Sequence, residues 1–426
     1  MSSAKKNTDW PVPEAKPEEV GMSSKALARI TPYLRTFITR KMAPNFVTLV
    51  IRRGRLVHHE VQGYMDFESK QPVTPDTLYR MYSNTKPVTG TAAMICVEEG
   101  LFSLDDPVSK FLPAFKDQRV KAPAGQGPMM GTPTVPVDRE MTVRDCLRNT
   151  TGLTTARRAP IAYMTEFRDL VSRAGLLGGL GGNPDIGVRE TVEALGQLPL
   201  EAQPGTEFEY HVGYPVAGVI IETVTGKSLE EFYTERIFRP LGMTETSVYL
   251  DEERLKRFPS MYTPLPEKGK WKLAVMETPE QSRKLNGPKN KFDAGGGDGG
   301  ILTTAADYAR VGQMLLNGGE LDGVRILSRH SVRIMTANHT GTMDIGMSGP
   351  NFGFGIGVGV VRDTDDPPVN RSVGTFGWGG AAGTAMFVDP KEELVAVCLS
   401  QVFSHIMMPG NTYQEDFERL VYEAIL

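Results

Sequence analysis

A serine and a lysine stand three residues apart in Ser83-Asn84-Thr85-Lys86, and both side chains can carry acyl-transfer chemistry. Residues i and i+3 share one face of a helix, so the Lys86 ammonium can lie within hydrogen-bond reach of the Ser83 hydroxyl. Pro87 follows at once, and a helix accepts proline only in its first turn, so the helix must begin near Ser83. Ser83 is then a candidate nucleophile. Lys86 is its candidate base, provided that burial or a nearby charge lowers the lysine pKa.

The spacing alone is weakly specific, because Ser2 and Lys5, and also Ser3 and Lys6, repeat it near the N-terminus. Ser83 could instead be a simple helix N-cap. The chain has no Gly-x-Ser-x-Gly sequence, which an α/β-hydrolase would need. Its six histidines show no helical i, i+4 pair, so we expect no metal site. The run 295–300 lacks the Gly-Lys-Ser/Thr of a phosphate loop, and we interpret it as a close backbone approach beside the active cleft.

The elements that must position these residues are visible as periodic patterns. Residues 46–61 alternate about a turn at Arg53-Gly54 and predict a β-hairpin. Helical spacing predicts helices over 23–41 (kinked or split at Pro32), 83–99, 188–198, 213–238, 304–317 and 413–426. Strand patterns return at 354–361, 385–388 and 394–399. Segments 118–138 and 174–187 are rich in glycine and proline and predict long loops, either lids over a site or ordinary surface.

This order of elements predicts an α/β (α+β) protein with a central antiparallel sheet built from both ends of the chain and flanked by helices. We expect one domain from residues 1–105 and 235–426, and a mainly helical inserted domain from residues 106–234.

Charge and composition narrow the function classes. Lys+Arg number 47 against 51 Asp+Glu, so the net charge is −4 and a nucleic-acid partner is not expected. The odd count of three scattered cysteines argues against a disulfide framework and favours buried thiols. No apolar run is long enough to span a membrane and no signal peptide is visible, which predicts a soluble cytoplasmic protein without a membrane partner.

Several motifs in register resemble the serine β-lactamase and penicillin-binding-protein superfamily. They are the segments 82–92, 99–107, Asn149-Thr-Thr-Gly-Leu153, 204–214, 240–243 and 295–308. The resemblance covers roughly residues 20–426 and is closest to the branch with class C β-lactamases, D-alanyl-D-alanine carboxypeptidases and family VIII carboxylesterases. It implies a β-lactamase/transpeptidase-like fold and an acyl-enzyme on Ser83, with no cofactor.

The resemblance also implies roles for further residues. Tyr210 stands where the family places a tyrosine facing the Ser/Lys pair, although it could simply be a packed core tyrosine. We expect the adjacent ammonium to lower the pKa of Tyr210 from its usual value near 10, so that Tyr210 and Lys86 share the role of base. The backbone N–H groups of Ser83 and Ala381 would form the oxyanion hole.

Two departures from the family pattern bear on the substrate. The usual Tyr-x-Asn is replaced by Tyr210-His211-Val212, which loses an amide that contacts substrate amides. The usual Lys-Thr-Gly or His-Thr-Gly is replaced by Trp378-Gly379-Gly380, which loses the cation that binds a substrate carboxylate. An indole surface favours a neutral ester. The Trp-Gly-Gly sequence resembles that of the family VIII esterases. Alternatively, Trp378 only packs at a strand corner. Val212, Trp378, Gly379 and Gly380 are the candidate substrate-binding residues.

We therefore expect a carboxylesterase that acts on small esters of short acyl chains, with slow cephalosporin hydrolysis as a side activity. Two alternatives remain open at this point. One is an acyltransferase, or a D-amino-acid esterase or peptidase, on the same scaffold. The other is a catalytically silent binding protein. The sequence does not indicate an oligomeric state.

Overall fold

The computed structural model describes residues 12–122, 134–153, 187–285, 292–297, 299–346, 349–363 and 370–426. Most of the two predicted long loops, residues 123–133 and 174–186, lies outside the described residues. At the margins of the first loop, two short strands, Arg119–Lys121 and Thr134–Pro136, pair with each other.

The described part of the chain contains short and long β-strands in antiparallel pairs. In chain order they are β1 (Asn45–Arg52), β2 (Arg55–Gly63), β3 (Tyr79–Arg80), β4 (Arg119–Lys121), β5 (Thr134–Pro136), β6 (Met261–Glu267), β7 (Lys270–Glu277), β8 (Leu302–Thr303), β9 (Glu320–Leu321), β10 (Val324–Arg325), β11 (Phe352–Phe354), β12 (Gly359–Val361), β13 (Phe376–Gly380), β14 (Thr384–Asp389) and β15 (Leu394–Leu399).

A seven-stranded sheet has the order β11-β12-β13-β14-β15-β1-β2, and every neighbouring pair is antiparallel. The expected hairpin is β1–β2. The last long strand, β15, lies between β1 and β14, with Val47 opposite Leu399. The sheet is therefore assembled from the two ends of the chain, as the sequence patterns predicted.

The helices cover the sheet and fill the middle of the chain. In chain order they are α1 (Ser24–Leu27), α2 (Ile30–Thr39), α3 (Lys86–Glu98), α4 (Val143–Leu147), α5 (Val188–Gly196), α6 (Gly213–Thr225), α7 (Leu229–Tyr233), α8 (Glu252–Leu255), α9 (Pro279–Leu285), α10 (Ala305–Leu316), α11 (Arg329–Met335) and α12 (Tyr413–Tyr422). The first predicted helix is split, as expected, and Pro32 lies in the first turn of α2.

Alternation along the buried strands divides the core between the two faces of the sheet. On β15, Val395 and Val397 belong to the main cluster with α3 and α10, whereas Ala396 and Cys398 face the cluster formed with α2 and α12. Both faces are covered, so the sheet is the middle layer. This three-layer architecture matches the β-lactamase/transpeptidase-like fold that the sequence resemblance implied.

The main hydrophobic cluster also extends into α4, α5 and α6, through residues such as Leu147, Leu195 and Ile220. One continuous core thus joins the sheet to the helices of the middle segment, and the division at residues 106 and 234 stays a prediction. All three cysteines are buried and free, as predicted. None of the helices in the described ranges has the length and apolar character needed to cross a bilayer.

Candidate active site

Ser83 lies in a single 3-10 turn, Tyr82–Thr85, that leads directly into α3. Tyr82 has a φ of +46°, an uncommon conformation for a side chain of its size. Two hydrogen bonds hold this turn, from Tyr82 N to Gly299 O (2.8 Å) and from the Tyr308 hydroxyl to Asn84 O (2.7 Å). Ser83 itself is only half-buried, so the nucleophile is accessible while its backbone is fixed.

The glycine-rich run makes the close approach that the sequence predicted. A Cβ on Gly296 would lie 1.9 Å from Tyr82 O, and one on Gly300 would lie 2.1 Å from the Thr85 hydroxyl oxygen. Both residues have positive φ, +79° and +71°. The backbone behind the nucleophile therefore has no space for side chains at these two positions.

Lys86 is fully buried at the start of α3, and its Nζ donates to Ser83 Oγ (3.1 Å) and to Gly295 O (2.7 Å). The ammonium also lies 4.4 Å from the centre of the Tyr210 ring. Burial lowers the pKa of Lys86 to about 7, although the nearby Asp293 carboxylate opposes the shift. A lysine in this state can serve as a base near neutral pH, which was the condition set by the sequence.

Tyr210 reaches the same place from the segment before α6, and its hydroxyl interacts with that of Ser83. The expectation that the ammonium lowers the Tyr210 pKa is wrong. Burial raises this pKa well above its usual value, although hydrogen bonds from Ser83 and Trp378 oppose the shift. The phenol therefore keeps its proton at neutral pH, and Lys86 is the better base of the two.

Trp378 lies on β13 and donates a hydrogen bond from its indole Nε1 to the Tyr210 hydroxyl at 2.6 Å. Its ring also packs edge-on against Phe354, with ring centres 4.8 Å apart. A Cβ on Gly359 would lie 2.5 Å from the indole Cζ3, so this glycine leaves the space that the indole fills. Phe208 stacks on Tyr210. We name the set Phe208, Tyr210, Phe354 and Trp378 the aromatic wall.

The end of β13 lies against the nucleophile turn. A Cβ on Gly380 would be 2.2 Å from Met81 O, and the Thr384 hydroxyl, opposite Gly380 on β14, donates to the same carbonyl. Ala381 follows directly and is exposed, as is Gly379. The candidate oxyanion residues Ser83 and Ala381 are thus carried by adjoining segments, and their role in binding an oxyanion stays a prediction.

Of the side chains among the candidate substrate-binding residues, that of Val212 is the least accessible to a substrate. Its side chain is only 9% exposed and belongs to the main hydrophobic cluster, immediately before α6. This gives Val212 a packing role, and contact with a substrate stays a prediction.

Two functional candidates were missed by the sequence reasoning. His211 Nδ1 lies 3.2 Å from Lys86 Nζ, and His211 Nε2 lies 2.8 Å from Asp293 Oδ2. Asp293 is fully buried. The local signal for His211 was its place directly after Tyr210, within the altered Tyr-x-Asn motif. Within the described ranges, His, Cys, Asp and Glu form no group of three or more that could hold a metal ion.

Comparison with known proteins shows which family this chain resembles. The family model described as Beta-lactamase matches residues 34–416. Protein Rv1367c of Mycobacterium tuberculosis is 34% identical over 404 residues, which cover 89% of this chain and 94% of that protein. Esterase EstB of Burkholderia gladioli is 27% identical over 353 residues, which cover 80% of this chain and 82% of EstB.

Among solved structures, the fold is similar to that of EstCE1, described as a hydrolase with promiscuous acyltransferase activity. The TM-score is 0.75 at 24% identity, and the match covers 93% of this chain and 99% of EstCE1.

Proposed function

The chain belongs to the Beta-lactamase family, with a serine-hydrolase type of site, and from this premise we propose that it is a carboxylesterase for esters of short acyl chains. Ser83 is the nucleophile, Lys86 the base, and Tyr210 the acid that serves the leaving group. The enzyme forms an acyl-enzyme on Ser83 and then hydrolyses it.

The observation that carries the choice of an ester is the aromatic wall beside Ser83. The indole of Trp378 stands where the related lactamases and peptidases carry a cation, and its N–H is already engaged by Tyr210. An apolar surface of this kind favours an uncharged acyl or alcohol group. A substrate carboxylate would lose its charge-assisted partner there. The relative EstB, whose match covers most of this chain, is named as an esterase, and this agrees with a preference for esters.

In the acylation step, the Ser83 proton passes to the free amine of Lys86 as Oγ bonds to the ester carbonyl carbon. The negative charge that develops on the carbonyl oxygen is stabilised by the N–H groups of Ser83 and Ala381. Preorganised donors of this type typically contribute about 2.7–4 kcal/mol each.

The tetrahedral intermediate then collapses, and the bond to the alcohol breaks. Tyr210 gives its proton to the leaving oxygen, and the Lys86 ammonium, which lies over the Tyr210 ring, restores the phenol proton. Water attacks the acyl-enzyme in the same way: Lys86 takes the water proton, and the proton finally returns to Ser83 Oγ. Each cycle consumes one water and leaves the three side chains as they began.

The direct test is hydrolysis of p-nitrophenyl butyrate by the variant Ser83→Ala. We expect turnover to be abolished while the circular dichroism spectrum is unchanged. Ser69→Ala, at an exposed serine that is not among the site residues, is the matched control and should retain full activity. Turnover by S83A at the wild-type rate would show that Ser83 is not the nucleophile.

Acyl transfer is the second candidate, and it is favoured by the fold shared with EstCE1, whose description includes promiscuous acyltransferase activity. It differs from hydrolysis only in the acceptor that attacks the acyl-enzyme. Product analysis with a primary alcohol present at increasing concentration separates the two. If transfer to the alcohol exceeds hydrolysis at millimolar alcohol in water, the chain is an acyltransferase and not an esterase.

A further inference from the structure

His211 occupies a place that the surrounding backbone is shaped to accommodate. It has a φ of +90°, and its backbone N–H donates to Asn149 Oδ1 at 2.8 Å. A Cβ on Gly295 would lie 2.8 Å from the imidazole Cε1, and one on Gly297 would lie 2.7 Å from Nε2. The glycine run therefore makes room for the His211 ring on one side, as it does for the Tyr82 carbonyl on the other.

Hydrogen bonds on Asp293 decide which imidazole nitrogen carries the proton. Asp293 Oδ1 accepts from Gly295 N (2.7 Å) and Oδ2 accepts from Gly297 N (2.9 Å). Burial would raise the pKa of Asp293, but the charge and hydrogen bond of His211, followed by Gly295 N and Lys86, lower it. An ionised carboxylate only accepts hydrogen bonds, so His211 Nε2 carries a hydrogen towards Asp293. A neutral imidazole then presents an unprotonated Nδ1 to Lys86.

We propose that His211 and Asp293 form a proton-holding pair that accepts a proton from Lys86, so that Lys86 faces Ser83 as a free amine while the site keeps the same net charge. The inference rests on the proposed function and adds positioning residues to it. A proton moves from Lys86 Nζ to His211 Nδ1, which converts ammonium and neutral imidazole into amine and imidazolium. The imidazolium is held against the Asp293 carboxylate. The amine then takes the Ser83 proton.

Other titratable groups around the imidazole do not compete for this proton. They include Tyr210 and Tyr214, whose rings both face the Lys86 ammonium, at 4.4 and 5.0 Å. Burial raises the pKa of both phenols, so they stay neutral near pH 7. Lys86 contacts the imidazole at Nδ1 and Asp293 contacts it at Nε2, which is the arrangement that proton exchange between Lys86 and His211 requires.

The proposal has a kinetic consequence that a purely structural histidine would not have. With His211 present, Lys86 and His211 can share one proton, and Lys86 is a free amine whenever His211 holds it. Ser83 therefore stays reactive below pH 7. With an amide in place of the imidazole, Lys86 must lose its proton to solvent. Lys86 is then a single titrating site, and its fraction of free amine falls by up to about tenfold for each pH unit below its own pKa.

The experiment measures the rate at which a fluorophosphonate labels Ser83. The adduct is detected by intact-protein mass spectrometry at each pH from 5 to 9. The variant His211→Gln keeps a group that can accept from Lys86 and donate to Asp293 but cannot take the proton. We expect the wild-type rate to change less than about threefold between pH 6 and pH 8, and the H211Q rate to fall about tenfold. His58→Gln, at a half-buried histidine on β2 that contacts the Thr48 hydroxyl, is the matched control and should follow the wild type.

Two results overturn the inference. One is a tenfold fall in the labelling rate of the wild-type protein between pH 8 and pH 6. This measurement does not depend on the folding of any variant. The other is an H211Q profile as flat as that of the wild type. Asp293→Asn should behave as H211Q does, because the imidazolium loses its carboxylate. Absence of any Ser83 adduct in the wild type would instead show that the nucleophile is wrong, which separates failure of the proposed function from failure of this inference.

Discussion

Replacing Trp378 by phenylalanine isolates the hydrogen bond between the indole and Tyr210. The indole N–H can only donate, so the Tyr210 oxygen must accept at 2.6 Å, and the phenol hydrogen is left to point elsewhere. This arrangement leaves the proton of Tyr210 available for the leaving group. Phenylalanine keeps an aromatic ring for contact with Phe354 but removes the donor.

Loss of one neutral hydrogen bond typically costs about 0.5–1.5 kcal/mol. If the bond acts mainly in the transition state, kcat should fall about 2- to 13-fold. KM for p-nitrophenyl butyrate should change little, because the aromatic wall remains. The assay is steady-state hydrolysis at pH 7.5 and 25 °C, with thermal unfolding measured on the same samples. Trp271→Phe, at an exposed tryptophan on β7, is the matched control.

A double-mutant cycle with Tyr210→Phe completes the test. In the Y210F background, W378F should have no further effect on kcat, because the acceptor of the hydrogen bond is gone. A W378F variant with wild-type kcat, or equal effects of W378F with and without the phenol, would refute the orienting role of the indole. A rise in KM with unchanged kcat would instead mean that Trp378 acts only as a packing surface for the substrate.

Three further predictions follow from other contacts. Gly359→Ala places a Cβ 2.5 Å from the indole, so we expect a lower melting temperature and displaced tryptophan fluorescence, whereas Gly379→Ala, whose Cβ has no neighbour nearer than 3.5 Å, should leave the melting temperature unchanged. Trp378→Lys restores a cation, so kcat/KM for a cephalosporin should rise about tenfold while that for the ester falls, and a fall in both would contradict the specificity argument. Burial would raise the Asp145 pKa, but hydrogen bonds from Arg139, Thr142 and Arg148 lower it from 3.8 to about 2. Its folded pKa lies below its unfolded pKa, so its contribution of about 2 kcal/mol is present above pH 4 and lost as the pH falls to 2. Urea unfolding at pH 5 and pH 2 should therefore show a smaller change in stability for Asp145→Asn than for the wild type.

The parts of the fold that sequence predicted well are those with strong local patterns. The alternation of β1 and β2 and the position of Pro87 define the hairpin and the start of the nucleophile helix with little tertiary information. The pair β6–β7 was missed, because Pro264 and Pro266 within β6 argue against a strand. Among the described residues, β6 and β7 form a separate two-stranded sheet, and the further bridge from β6 to Val402 is made by Tyr262 and not by either proline, so the prolines cost few hydrogen bonds.

The contacts of the site also differ in how far they could be predicted, according to whether they are local in sequence. Ser83 and Lys86 are linked by helical spacing, so their contact could be predicted from sequence alone. The contact between His211 and Asp293 joins two segments far apart in the chain, and no spacing rule connects them. The direction of the Tyr210 pKa was predicted wrongly for a related reason. The neighbouring ammonium could be inferred from the motif, but the burial that outweighs it could not.

The central place of β15 has a consequence for how the protein forms during translation. A nascent chain exposes Ser83 and Lys86 early, but β1 cannot pair on its inner side until Leu394–Leu399 has left the ribosome, since β15 fills that position. Trp378, on β13, also joins the site through this late-synthesised part of the sheet. Closing a loop of this length is slow. The part of the site that β13 contributes can therefore reach the reactive amine and hydroxyl only after Leu394–Leu399 has been synthesised.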